Sequence, residues 1–72
     1  MDEQKFLKNF GLNFKFERMK SELTQEDIIE KTNFSKAYIS NVENGKHNLS
    51  LVNAYKFAQA VNKSIDELIN MK

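Results

Sequence analysis

Four hydroxyl side chains divide this chain into short helical segments. Each stands directly before a stretch of helical periodicity, where its oxygen can accept a hydrogen bond from a free amide of the first turn. The four are Thr24, Ser35, Ser50 and Ser64. Two of them are followed three residues later by an acidic residue, Asp27 or Glu67, which is the capping-box pattern. Proline is absent and no long run of alternating β-branched residues occurs, so the sequence predicts an all-α fold.

The caps and the apolar periodicity predict five helices joined by short links. The predicted helices are Lys5–Ser21, Gln25–Thr32, Lys36–Asn44, Leu51–Val61 and Ile65–Met71. Only Asn33, Phe34 and Ser35 separate the second helix from the third. Asn33 can adopt the left-handed conformation that ends a helix, and Ser35 caps the next one. This pattern is typical of a helix-turn-helix, with Phe34 folded back into the core.

The length of 72 residues predicts one domain, 1–72, with a modest core. Cysteine is absent, which excludes disulfides and thiolate metal sites, so helix packing or dimerisation must supply the stability. The predicted core residues are Phe14, Leu23, Ile28, Phe34, Ile39, Val42, Leu51, Ala54, Ala58, Val61, Ile65 and Leu68. Neither a signal peptide nor a run of transmembrane length is found, so we expect a cytoplasmic protein.

The charge is distributed unevenly along the chain, although the net charge is only +1. Residues 31–63 carry five lysines against Glu43 alone, a balance of +4, whereas residues 1–30 sum to −2 and the remainder to −1. A basic centre between acidic ends fits one positive face that contacts nucleic acid. A random scatter of surface lysines is the alternative.

The third predicted helix has a small, polar outer face. Ile39 and Val42 share one side, and the opposite side carries Ala37, Ser40, Asn41 and Asn44, flanked by Lys36 and Tyr38. An asparagine can pair with the edge of adenine, a lysine with guanine or phosphate, and an alanine can contact the methyl group of thymine. These side chains are suited to the major groove of DNA, the alternative being an ordinary solvated face.

Glu43 falls toward the apolar side of the same helix and should need a partner. Arg18 is the only arginine in the chain, and its guanidinium suits a partly buried carboxylate. We therefore predict an ion pair between Arg18 and Glu43 that locks the first helix against the third. The alternative is that both side chains simply reach solvent.

Two further segments are rich in hydrogen-bond donors. The loop Lys46–Leu49 has the composition expected of a phosphate-binding loop, although a plain surface turn could look similar. The free amides at the start of the second helix, with the side chain of Gln25, offer a second anion site. Together the two segments could clamp the DNA backbone on either side of a groove.

Several motifs in their order and spacing resemble the phage repressor/Cro type of helix-turn-helix, the XRE-like family. They are Leu23–Ile28, Asn33–Ser35, Tyr38–Ser40, Val42–Lys46 and Ser64–Leu68, and the likeness covers about residues 10–69. Three segments look more narrowly like the controller proteins of restriction-modification systems: Phe10–Asn13, Tyr38–Ser40 and Asn48–Ser50.

The resemblance implies a compact five-helix lambda-repressor-like domain that binds operator DNA as a homodimer, with its third helix in the major groove. By position, the expected base contacts are Lys36, Ala37 and Asn41. The expected contacts to phosphate or sugar are Gln25, Tyr38, Ser40, Asn44, Lys46 and His47. Arg18 and Glu43 match a structural ion pair of some members. The expected dimer interface is Ile65, Leu68, Ile69 and Met71. No cofactor, small-molecule ligand or membrane is expected.

Three other functions compete with this interpretation. We do not expect an enzyme, because His47 is the only histidine and has no cysteine or fixed carboxylate at a suitable spacing. A protein-interaction module of the same fold, similar to an antitoxin, would depend on exposed apolar residues such as Phe6, Leu7, Phe16 or Met71. A helical bundle without a ligand is the third alternative.

Overall fold

The computed structural model describes residues 2–70, which form five α-helices in the predicted order. They are α1 (Glu3–Lys20), α2 (Gln25–Thr32), α3 (Lys36–Glu43), α4 (Leu51–Ala60) and α5 (Ile65–Asn70). The first helix begins two residues earlier than predicted because the Asp2 carboxylate accepts a hydrogen bond from the backbone amide of Gln4 at 3.0 Å. The all-α prediction is confirmed. Within residues 2–70 no helix is long and apolar enough to cross a membrane.

The predicted hydroxyl caps start the helices as expected. The Thr24 hydroxyl accepts from the Asp27 amide at 3.1 Å, and the Asp27 carboxylate accepts from the Thr24 amide at 2.8 Å. Ser64 and Glu67 form the same reciprocal pair, at 3.0 and 2.9 Å. The amide donors hold the pKa of the Asp27 carboxyl and that of Glu67 below their usual values. Ser35 and Ser50 cap α3 and α4 by accepting from Tyr38 and Asn53.

The five helices pack around one hydrophobic core. Its buried members are Phe10, Phe14, Ile28, Ile39, Val42, Ala54, Phe57, Ala58, Ala60, Val61 and Leu68. Phe10, Phe57 and Ala60 are not among the predicted core residues. Phe57 is central, because its ring centroid lies 4.9 Å from that of Phe14 and 5.0 Å from that of Phe34. Leu51 was wrongly assigned to the core: it is 75% exposed, because it is the first residue of α4 and no neighbour covers it.

A glycine allows α1 to approach the end of α3 closely. A Cβ atom on Gly11 would overlap the backbone carbonyl oxygen of Val42 and lie 2.9 Å from that of Glu43. The backbones of α1 and α3 therefore touch directly at this point. On another side, the Asn13 amide of α1 donates a hydrogen bond to the Leu68 carbonyl of α5. Helix α1 is thus fixed between α3 and α5.

Candidate nucleic-acid interface

The corner between α2 and α3 has the geometry of a helix-turn-helix. Asn33 adopts the left-handed conformation, with φ of 65°, and its amide donates to the Ile29 carbonyl at 2.7 Å. The Phe34 amide donates to the Thr32 hydroxyl at 3.2 Å. The Phe34 ring turns inward and packs against Tyr38 with a centroid separation of 5.0 Å. The aromatic contact fixes the direction in which α3 leaves the turn.

The two sides of α3 differ sharply in exposure. Ile39 and Val42 are 0% and 3% exposed, so one side of the helix belongs to the core. Lys36 and Ala37 are exposed on the other side, and Asn41 is half-buried beside them. The Asn41 side chain makes no hydrogen bond with any residue among 2–70. Its amide therefore keeps both donors and its acceptor for an external partner.

A buried ion pair joins the C-terminal end of α3 to α1. Arg18 Nε lies 2.7 Å from Glu43 Oε2, and Nη2 donates to Glu43 Oε1 at 3.3 Å. Arg18 also donates through Nη1 to the Leu23 carbonyl at 2.9 Å, just before α2. The two side chains are only 11% and 3% exposed. One guanidinium thus joins α1, α3 and the segment just before α2. The ion pair forms between the two residues that the sequence predicts.

Gln25 and Ser40 connect the same network to the exposed edge. The Gln25 side chain donates to Glu43 Oε1 at 3.1 Å and accepts from the Ser40 hydroxyl at 3.4 Å. Both residues were expected to contact phosphate, yet in the protein their polar groups bind each other. In the first turn of α2 the Asp27 amide donates to the Thr24 hydroxyl, and the amides before it have no helical partner, as at any helix start. Gln25 therefore positions this helix end in addition to any contact that it makes with an anion.

The Lys36 ammonium, an expected base contact, has a partner on α2. Its Nζ lies 3.1 Å from Glu26 Oε2, and the two side chains are 63% and 66% exposed. A backbone hydrogen bond, and then the neighbouring lysine, lower the pKa of the Glu26 carboxyl. The sequence did not predict this pair, because its formation depends on the angle between α2 and α3. Solvent screens the pair, so Lys36 can leave Glu26 for another anion.

Tyr38, on α3, contacts both α4 and the loop that joins α3 to α4. Its hydroxyl accepts a hydrogen bond from the Asn53 side chain at 2.9 Å, and its ring centroid is 5.6 Å from that of His47. Asn53 thereby fixes the hydroxyl while leaving its proton free for donation. No sequence signal identified Asn53, which stands in the first turn of α4.

The loop after α3 carries the remaining predicted phosphate contacts. Asn44, Lys46 and His47 are all exposed. Gly45 turns the chain with φ of 71°, and the Lys46 amide donates to the Asn41 carbonyl at 2.8 Å. A Cβ atom on Gly45 would come within 2.8 Å of the Cα atom of Lys8, so the loop packs directly against α1. Lys8 therefore adds a cation beside this loop that the sequence analysis did not include.

The predicted dimer residues are only partly on the surface. Leu68 was predicted both in the core and in the dimer interface. It is 0% exposed and packs in the core, so the core prediction is confirmed and the dimer prediction is wrong. Ile65 and Ile69 are half-buried against the same core. Met71 lies outside the described residues. A separate apolar surface, which we call the α4 patch, consists of Leu51, Val52 and Tyr55, which are 75%, 63% and 55% exposed.

A family model described as helix-turn-helix matches residues 14–68. The chain belongs to this helix-turn-helix family, in its XRE-like form, which is a class of DNA-binding regulators and not of enzymes. The chain is 36% identical over 69 residues to "Uncharacterized HTH-type transcriptional regulator y4dJ" of Sinorhizobium fredii, covering 96% of this chain and 86% of the relative. It is 34% identical over 56 residues to "Control protein C.MunI" of a Mycoplasma species, covering 78% and 76%.

Two solved structures share the fold. The restriction-modification controller protein C.AhdI from Aeromonas hydrophila superposes with a TM-score of 0.79 at 34% identity, covering 86% of this chain and 94% of that one. The hypothetical transcription factor NHTF from Neisseria superposes with a TM-score of 0.83 at 26% identity, covering 96% and 79%. The resemblance to XRE-like regulators and controller proteins is therefore confirmed.

Proposed function

We propose that this protein binds operator DNA as a homodimer and regulates transcription through α3. The outer face of α3 is the observation that carries the proposal. Its exposed residues, Lys36 and Ala37, are followed by Asn41, whose amide has no internal partner among residues 2–70. The opposite side of the helix is locked in the core. A helix with one fixed side and one small, polar side can lie deep in a major groove.

Each proposed base contact has a distinct chemistry. Asn41 would pair with the edge of adenine through its amide, and Ala37 would contact a thymine methyl. Lys36 would exchange its contact with Glu26 for guanine or a phosphate. Because the Lys36–Glu26 pair is exposed, little free energy opposes this exchange.

The proposed backbone contacts surround α3. The free amides at the start of α2, the Tyr38 hydroxyl, Asn44, Lys46 and His47 would bind phosphate, while Gln25 and Ser40 hold the start of α2 against α3. Charged contacts of this kind release counterions from DNA. The affinity should therefore fall steeply as the salt concentration rises.

Dimerisation is part of the proposal, because two copies of α3 can read two half-sites about one helical turn apart. We assign the interface to the α4 patch. It carries the most exposed large apolar side chain of residues 2–70, Leu51, and its three members lie within two turns of α4. Sedimentation of Leu51→Ser beside wild type tests this: the variant should be monomeric at concentrations where wild type dimerises, and an unchanged dimer would contradict the assignment.

A binding selection from a random duplex DNA pool tests the function as a whole. The purified protein is mixed with the pool near physiological salt, and the retained duplexes are sequenced. A two-fold symmetric motif is the expected result. Failure to enrich any motif would contradict sequence-specific binding. A symmetric motif is also what regulators of restriction-modification genes would need, and the likeness to C.MunI and C.AhdI extends the proposal to that role.

The site of action follows from the proposed partner. A regulator of this kind works where the DNA is, which we propose to be the cytoplasm.

The second candidate function, a protein-interaction module, gains support from one observation. Phe16 is 56% exposed on α1, away from the core, although Phe6 and Leu7 are half-buried.

A further inference from the structure

The outer face of α1 combines apolar and basic side chains without any acidic one. We call this surface the α1 face. All of its members are exposed, and they are Lys5, Lys8, Leu12, Lys15, Phe16, Met19 and Lys20. Leu12, Phe16 and Met19 are 63%, 56% and 59% exposed. At about 100° per residue, the acidic residues of α1, Glu3 and Glu17, point toward the opposite side of the helix.

The apolar side chains follow the spacing of a helix–helix seam. Leu12, Phe16 and Met19 are separated by four and then three residues, as are the core positions d, a and d of a heptad. In this register the flanking e and g positions hold Lys8, Lys15 and Lys20. None of these lysines forms an ion pair with a residue among 2–70. The α1 face therefore presents one half of a seam together with unpaired cations beside it.

We propose that the α1 face docks an acidic amphipathic helix from a partner protein. Apolar residues of that helix would cover Leu12, Phe16 and Met19, and its glutamates or aspartates would lie opposite the lysines. Flanking charges of opposite sign select partner and orientation in such seams. Helix α1 packs inward on α3 and α5, and Leu12, Phe16 and Met19 are exposed, so the centre of the seam lies apart from the proposed DNA surface. Lys8 is the one member of the α1 face that stands beside the loop after α3.

Charge and shape decide against other occupants. A second copy of the α1 face would bring lysines against lysines, which is unfavourable. A lipid surface suits a broad apolar face, whereas this stripe spans only two turns, about 10 Å at about 1.5 Å per residue. DNA would satisfy the lysines but leave the three apolar side chains uncovered. An acidic helix satisfies both sets of side chains.

The test uses a fluorescent synthetic peptide of about three heptads, with leucine at a and d and glutamate at e and g. A matched peptide carries lysine at e and g. Wild-type protein should bind the glutamate peptide saturably and the lysine peptide at least about tenfold more weakly. Equal binding of the two peptides, or no saturable binding of the glutamate peptide, overturns the proposal.

Variants of the exposed positions locate the binding. The double substitution Phe16→Ser/Met19→Ser should weaken peptide binding at least about tenfold, because it removes the centre of the seam. The double substitution Lys8→Glu/Lys15→Glu should reverse the preference toward the lysine peptide. Lys31→Glu, on an exposed lysine of α2, is the matched control and should bind like wild type. Loss of peptide binding by Lys31→Glu, with both double variants binding like wild type, would overturn the assignment to the α1 face.

Two parallel measurements separate the rival occupants. Vesicles of phosphatidylglycerol should not compete with the peptide, and sedimentation of Phe16→Ser/Met19→Ser should show the same dimer as wild type. Competition by vesicles, or loss of the dimer, would replace the acidic helix by a membrane or by a second copy. Operator affinity of this variant should stay within about twofold of wild type, so the outcome is independent of the proposed function.

Discussion

Two ion pairs connect α3 to neighbouring helices, one to α1 and one to α2, and they differ sharply in burial. Arg18 and Glu43 are 11% and 3% exposed and meet through two hydrogen bonds. Lys36 and Glu26 are 63% and 66% exposed and meet through one. Removing one member of a buried pair leaves an uncompensated charge, whereas solvent screens an exposed pair. Burial therefore makes the first pair structural and leaves the second available for exchange.

The difference shows how a small domain can use the same kind of interaction, an ion pair with a glutamate, for two purposes. The buried guanidinium fixes α1, α3 and the entry to α2 in one arrangement. The exposed ammonium stands at the edge of α3 that we propose to contact DNA. A phosphate or a guanine can replace Glu26 without disturbing the core. Substitutions at the two pairs should therefore affect folding in one case and DNA binding in the other.

Replacing Arg18 should have the largest effect on folding. Arg18→Ala leaves the Glu43 carboxylate buried without its main partner, which should cost about 3–5 kcal/mol. A domain of this size has a total stability of about that magnitude, so the variant should be largely unfolded. Urea denaturation followed by circular dichroism measures the loss.

A double variant shows whether the loss comes from the unpaired charge. Arg18→Met/Glu43→Met removes both charges and should recover most of the stability, because apolar residues of similar volume often replace a buried pair without loss. An Arg18→Ala variant as stable as wild type would mean that the pair contributes nothing, and the comparison would fail.

Replacing Lys36 should affect DNA binding instead of folding. Lys36→Ala should weaken operator affinity by about tenfold, as expected for the loss of one charged contact. Its midpoint of urea denaturation should equal that of wild type, because the pair with Glu26 is exposed. Fluorescence anisotropy with a labelled duplex measures the affinity, and Lys31→Ala is the matched control. A shift in the denaturation midpoint would show that the exposed pair is structural after all.

Replacing Glu26 should change operator affinity in the opposite direction. Glu26→Gln removes the carboxylate that competes for Lys36 and that repels nearby phosphates. Operator affinity should rise a few-fold at low salt, and the gain should shrink at high salt because screening weakens the repulsion. The same anisotropy titration at two salt concentrations is sufficient. A lower affinity would show that Glu26 itself contacts a base, for example by accepting from cytosine.

The smallest effect concerns the exposed carboxylates of the two capping boxes. The pKa values of Asp27 and Glu67 are lowered in the folded protein by amide donors at the caps. Their contribution to stability is therefore complete above the unfolded pKa values, near about pH 4, and is lost as the pH falls through the folded ones. The melting temperature of Asp27→Ala/Glu67→Ala should change less than that of wild type between neutral and acidic pH. An equal change would contradict this role.

The sequence predicts those features that depend on neighbours along the chain. The caps at Thr24, Ser35, Ser50 and Ser64 start helices as expected, because capping is local. The Arg18–Glu43 pair could also be predicted, since a carboxylate on an apolar side needs a cation and the chain has one arginine. Other features set by the angles between helices could not be predicted.

Three of the missed features illustrate this limit. The contact of Asn53 with Tyr38 joins α4 to α3, and no periodicity relates the two residues. The core position of Phe57 depends on how α4 crosses α1 and the turn. Leu68 was predicted both as a core residue and, from the family resemblance, as a dimer contact; α5 turns it inward, so only the core prediction is confirmed.

The most direct test of the central claim compares specific with non-specific affinity for Asn41→Ala. Affinities are measured at one salt concentration for the selected operator and for a random duplex, with Asn70→Ala as the control. Asn41→Ala should lower the ratio of the two affinities by about tenfold or more, while its affinity for the random duplex is unchanged. An unchanged ratio would contradict the proposal that α3 reads the bases.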